Sequence, residues 1–126
     1  MLVKSKMKSE AIKIIVALDS SKQIDLISKY LTTLTIQDAY GIAQEIEYLR
    51  ADRKEYTVGL KVGFTNKNIW KEYNASSPIV GAIYNTTVKM IDKTFSIDGL
   101  LEPKIEPEII FKLKKTPKVG MGNEEL

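Results

Sequence analysis

The sequence predicts an α/β protein in α+β order, with helices in its N-terminal part and strands after them. Three observations carry that prediction. Apolar residues recur at helical spacing down to about Arg53, the period drops to two from Tyr56, and prolines and glycines punctuate the chain beyond Ala75. At 126 residues the chain is long enough for one modest core, so it is expected to form one domain overall. A helical segment over 1–54 precedes a sheet-forming part over 55–126.

The first helix is predicted over Ser9–Leu18, ended by "SSKQ". "IDLISKYLTTL" is ambiguous and reads as a short helix and then extended chain. The clearest element begins at Thr35, an N-cap residue with Asp38 three positions on in the capping-box arrangement. From there Ile36, Ala39, Tyr40, Ala43, Ile46 and Leu49 follow helical spacing, and are expected to pack in the core. In "YTVGLKVGF" the alternation sends Tyr56, Val58, Leu60, Val62 and Phe64 to one face as a core stripe. The other face carries Thr57, Gly59, Lys61 and Gly63. Glycines inside a strand weaken it unless something approaches the backbone closely, so Lys61 stands over a cleared space or is a solvated edge lysine.

Thr65 or Asn66 caps a short helix through "KNIWKEY", with Ile69, Trp70 and Tyr73 inward. "NASSPIVG" reads as a loop, followed by strand-like "TTVKMI" and "TFSI" with turns at Asp92-Lys93 and Asp98-Gly99.

Composition excludes several chemistries. The chain has neither histidine nor cysteine, which removes Ser-His and Cys-His nucleophilic sites and zinc sites built on nitrogen and sulfur. Acid–base work falls to Asp, Glu, Lys or Tyr, and a metal would sit among oxygens, as Mg²⁺, Mn²⁺ and Ca²⁺ do. A net charge of +3 from scattered lysines describes a solvated surface, so no nucleic-acid partner is expected. No apolar run reaches membrane-spanning length and the start lacks a small-residue cleavage site, so a cytoplasmic protein without a membrane partner is expected.

One stretch asks for a special explanation. "KIEPEIIFKL", residues 104–113, is apolar enough for a core strand yet holds Glu106 and Glu108 around Pro107. Pro103 and Pro107 exclude a continuous helix. As a strand, it puts Ile105, Ile109, Phe111 and Leu113 on one face and both glutamates on the other, roughly 6.5–7 Å apart. On a helix they would diverge by about 200°. Two glutamates on one face repel unless a cation or shared proton lies between them, and the spacing suits one hard metal ion. A solvated charged face, with Lys104 and Lys112 as partners, is the plainer alternative.

"LTIQDAYGIAQEI", "GLKVGFTNK", "SPIVG" and "PKIEPEIIF" occur in that order and spacing. Together they resemble the 2-keto-4-pentenoate hydratase and 4-oxalocrotonate decarboxylase family of the fumarylacetoacetate hydrolase superfamily, from about Leu34 onward. The resemblance implies that 55–126 is the front part of a mixed-sheet catalytic domain. It implies that Glu106 and Glu108 are two of three carboxylate ligands to Mg²⁺ or Mn²⁺, and that Lys61 is the active-site lysine. The implied substrates are short 2-keto or 2-hydroxy-dienoic acids from meta-cleavage of aromatic rings. A cation would chelate the 1-carboxylate and 2-oxo oxygen and stabilise a dienolate, and would lower the pKa of the nearby lysine. "SSPIVG" and "EPKIEPE" stand slightly closer to the decarboxylase branch.

The family's third carboxylate lies beyond the Glu-x-Glu strand, and the chain stops at "GMGNEEL". The sequence therefore reads as an N-terminal half. Glu124 and Glu125 fit a helix start and do not replace the missing ligand. A homo-oligomer or a complementing C-terminal chain is the expected partner. The rival classes are a non-catalytic remnant or subunit and a small basic binding module, the latter marked by a steep salt dependence of nucleic-acid affinity.

Overall fold

The computed structural model describes residues 1–90 and 94–122. Helix α1 (Lys4–Asp19) leads through a short 3₁₀ turn at Ile27–Lys29 to helix α2 (Ile36–Asp52). Strand β1 (Thr57–Gly63), a 3₁₀ turn at Lys67–Ile69 and strand β2 (Ile79–Tyr84) follow. The α+β order expected from the sequence is the order observed. The turn expected at Asp92-Lys93 and the helix start at Glu124 and Glu125 lie outside the described residues.

Helix α1 begins five residues earlier than its apolar pattern suggests. The Val3 carbonyl accepts from the Lys6 and Met7 amides, and that first turn is polar and solvated. Helix α2 starts where its cap predicts. The Thr35 hydroxyl accepts from the Asp38 amide at 3.1 Å, and the Asp38 carboxylate accepts from the Thr35 amide at 3.1 Å. Asp38 also accepts from the Leu2 amide, which ties the start of α1 to the start of α2. Arg53 donates to Asp19 at 2.7 and 3.0 Å, joining their ends. The two helices therefore run side by side in the same direction. They pack tightly at Gly41, where a Cβ would come within 2.6 Å of the Met7 sulfur.

The buried residues are Ala11, Ile15, Ala17 and Ile42, together with Glu10, Asp38 and Glu45. This corrects the expected inward face of α2. Ile36, Ala39, Tyr40 and Ala43 are exposed, and Ile46 and Leu49 are half-buried. The cap decides the rotation: Asp38, bonded to both Thr35 and Leu2, faces α1, and Ile42 and Glu45 follow it at helical spacing.

Glu10 is wholly buried and takes hydrogen bonds or ion pairs from Lys6 (2.9 Å), Lys13 (3.0 Å) and the Tyr30 hydroxyl (2.7 Å). Burial pushes its pKa up, but the bonds from Lys6, Tyr30 and Lys13 outweigh burial and bring it down to about 2. Asp38 is also held at about 2, first by the Leu2 amide and then by Thr35. Both carboxyls bind protons more weakly folded than unfolded, so their stabilisation is complete above about pH 4.5 and is lost as pH falls toward 2. Far-UV circular dichroism should show the helices melting in that window. Glu10→Gln should destabilise the neutral protein by about 1–3 kcal/mol and flatten the acid transition. An unchanged acid midpoint in Glu10→Gln would assign the transition to other groups.

The hairpin is anchored at the C-terminal end of α2. Arg50 pairs with Glu55 and stacks 4.5 Å over the Tyr84 ring, and the Thr57 hydroxyl donates to Glu47 at 3.1 Å. Strands β1 and β2 pair antiparallel, with a bulge that leaves Val58 without a partner. Among the described residues this pair is the whole sheet, so the mixed sheet implied by resemblance is represented only by antiparallel strands.

Further readings are corrected. "SPIVG" is not all loop: Ile79–Tyr84 is a strand that keeps Gly81 inside it. "TTVKMI" begins in a turn, because the Thr87 hydroxyl and amide both bond the Tyr84 carbonyl, and "TFSI" pairs with no strand. The stripe Tyr56, Val58, Leu60 and Val62 is exposed, since no described layer covers it. Phe64 leaves the stripe with φ +57°, held by the Trp70 indole donating to its carbonyl at 2.7 Å and by an edge-on contact with Tyr73. "KNIWKEY" forms only the 3₁₀ turn, capped by Asn66, with Ile69 and Trp70 half-buried and Tyr73 exposed. The turn at Asp98-Gly99 is present, with Gly99 at φ +79°.

Candidate functional site

Strand β1 presents Lys61 between Gly59 and Gly63, directly across from Gly81 of β2. The Lys61 ammonium lies 2.9 Å from Glu108 Oε1 and 3.4 Å from Glu106 Oε2. The three residues that the sequence singles out are thus brought to one point, across 45 positions of chain.

Residues 103–113 do not form the expected strand; they pair with no ladder. Pro107 supplies no amide to a ladder, and the segment stands outside the β1–β2 pair. Both glutamates nevertheless reach one cation. Convergence of the carboxylates therefore does not depend on sheet pairing. Ile105, Ile110 and Phe111, between 81 and 97% exposed, are left without a covering layer among the described residues.

The Lys61 pKa is raised, chiefly by its hydrogen bond to Glu108 and next by Glu106. The ammonium stands between the two carboxylates, and each favours its charged form. All three groups are well exposed, so water screens the pairs and their part in stability is small. What they retain is an arrangement of oxygens that already shares one positive charge.

That donor set fits a hard divalent cation in chemistry: carboxylate oxygens, with no imidazole or thiolate in the chain. Among the described residues no cluster of three or more acidic side chains surrounds a common point, so those residues offer two carboxylates here. Mg²⁺ ordinarily keeps several waters and takes one or two protein carboxylates, so two are enough to start a site. The sequence reading did not single out Gly81 as the neighbour of Lys61. Its signal was a glycine inside the apolar run "IVGAIY", which is as much a strand interior as a loop.

No protein-family model matches the chain. It is 30% identical over 101 residues to the 2-hydroxyhexa-2,4-dienoate hydratase of Comamonas testosteroni, covering 79% of this chain and 38% of that protein. It is 33% identical over 89 residues to the 4-oxalocrotonate decarboxylase of Pseudomonas putida, covering 71% of this chain and 33% of the relative. The chain thus spans about a third of the length of the curated relatives it matches. In fold it resembles the 4-oxalocrotonate decarboxylase from Pseudomonas putida G7 complexed with calcium and acetate, with a TM-score of 0.66 at 24% identity. That match covers 68% of this chain and 33% of the other, and the same enzyme complexed with magnesium and adipate scores 0.65. No helix among the described residues is long and apolar enough to cross a membrane. Over about 70% of its length, the chain belongs to the 2-keto-4-pentenoate hydratase and 4-oxalocrotonate decarboxylase family.

Proposed function

We propose that the chain carries part of a divalent-metal-dependent lyase site acting on short 2-keto or 2-hydroxy-dienoic acids. Glu106 and Glu108 bind Mg²⁺ or Mn²⁺, and Lys61 serves as the catalytic lysine. The observation that supports this reading most is the convergence of both carboxylates on the Lys61 ammonium. The relatives add the substrate class, since they are hydratases and decarboxylases of such acids.

A bound cation supplies Lewis acidity and a template for the substrate's 1-carboxylate and 2-oxo oxygen. Lys61 balances the negative charge gathered there and donates or receives the proton that moves. In a decarboxylase, the bond to the distal carboxylate breaks, CO₂ leaves, and the electron pair left behind is protonated. In a hydratase, a proton shifts along the diene and water adds. The residues above serve either outcome, and the decarboxylase is the branch we favour from the sequence.

A stretch equivalent to the remaining length of the relatives, in the same polypeptide or another, supplies a further ligand and covers the exposed apolar side chains. Residues 1–126 by themselves carry only part of the site.

Calorimetric titration with Mn²⁺ tests the site. The wild-type chain should bind weakly, and Glu106→Gln with Glu108→Gln should abolish binding. Equal heats from both proteins would sink the metal assignment.

A further inference from the structure

We propose that the glycine-lined patch beside Lys61 is the floor on which the carbon tail of a short 2-oxo acid lies, and that Gly81 limits how bulky that tail can be. This rests on the metal-and-lysine reading above and adds the place of the ligand's tail.

Directly opposed residues of an antiparallel pair project from the same face of a sheet. Lys61 opposes Gly81, Gly59 opposes Ile83, and Gly63 opposes Ile79. One face of the hairpin therefore carries a single charged side chain, three glycines and two isoleucines. Gly59 adjoins the bulge at Val58, which is reason enough for a glycine there. Elsewhere inside a strand glycine costs stability, and three causes can keep it: a positive φ, crowding by the chain itself, or a neighbour that approaches the bare backbone.

The first cause does not apply, because the positive-φ glycines are Gly99 and Gly120. Nor does the second. A Cβ on Gly81 would meet no atom within 4 Å, one on Gly59 only Ile83 at 3.9 Å and beyond, and one on Gly63 only the Ile79 carbonyl at 4.0 Å. The third cause remains.

The chemistry of the patch describes what approaches. Its polar end is the Lys61 ammonium with Glu106 and Glu108, and its walls are Ile79 and Ile83. Those isoleucines stand two residues either side of Gly81, roughly 13 Å apart along the strand. A ligand with an anionic head and a short apolar tail fits: its head lies at Lys61, and its tail crosses Gly81 between the two walls. A β-branched side chain at 81 would rise into that slot.

The test uses the chain joined to its complementing segment and loaded with Mn²⁺, with two probes, 2-oxopentanoate, which has a tail, and oxalate, which has none. Gly81→Val should weaken 2-oxopentanoate binding about tenfold or more, and Gly81→Ala by less. Oxalate and Mn²⁺ affinities should stay within about twofold, since neither ligand reaches the slot. The melting temperature should not fall, because valine suits a strand better than glycine does. Unchanged 2-oxopentanoate affinity in Gly81→Val would overturn the proposal. So would parallel loss of both probes, or failure of the Mn²⁺-loaded wild type to bind 2-oxopentanoate. Failure of the wild type to bind Mn²⁺ at all would instead bring down the metal reading beneath it.

Discussion

Lys61→Met, introduced into the chain joined to its complementing segment, is expected to cut turnover of a 2-hydroxydienoate or 4-oxalocrotonate by about 100-fold or more. Methionine keeps the unbranched stem and removes the charge and the protons, so the loss reports on chemistry rather than on packing. Half of the Lys61 side chain is exposed, and its ion pairs are screened by water. The melting temperature should therefore stay within about 2 °C of wild type, as for an ordinary surface change. The charge change also makes a second, opposite signature. With the ammonium gone, Glu106 and Glu108 lose the cation they share, so Mn²⁺ should bind Lys61→Met at least as tightly as wild type. Unchanged turnover would make Lys61 a solvated strand lysine and nothing more.

Supplying the complementing chain is expected to produce the largest change in behaviour. Among its described residues, the chain exposes Leu60, Ile105, Ile110 and Phe111, and its two-stranded sheet pairs with no third strand. Apolar patches of this kind drive association, and free strand edges invite pairing with other copies. A two-stranded hairpin also needs a further layer to be independently stable. Size-exclusion chromatography with light scattering should find oligomers or aggregates of the isolated chain, with no measurable turnover in Mg²⁺ or Mn²⁺. Addition of the remaining two thirds of a relative's sequence, as a second chain or a fusion, should give a discrete species that converts substrate. A monodisperse isolated chain that turns over either substrate would refute the requirement for a partner.

Cap chemistry made α2 readable to the residue. Thr35 and Asp38 act within one turn, so their bonds depend on nothing distant. The same sequence misled about burial. Ile36, Tyr40 and Ala43 share a helical stripe, but Asp38 and its bond to Leu2 rotate a different face toward α1. Alternation in "YTVGLKVGF" identified two faces of β1 without saying which would be covered. β2 escaped because Gly81 was read as punctuation when it lies inside a strand. Around Pro107 the alternation suggested a strand, but no ladder partner stands beside it among the described residues.

By itself the sequence determined the chemistry open to this protein: oxygen donors without histidine or cysteine, one lysine between glycines, and two glutamates spaced around a proline. It also determined the order of helices and strands, because capping and periodicity act over a few residues. Only the tertiary structure decided that Lys61 meets Glu106 and Glu108 across 45 positions, and that Gly81 stands opposite the lysine. Local rules set backbone state and the side from which a residue projects. Which groups then become neighbours depends on the path of the whole chain, through a register set by strand pairing and a helix layer set by one buried aspartate.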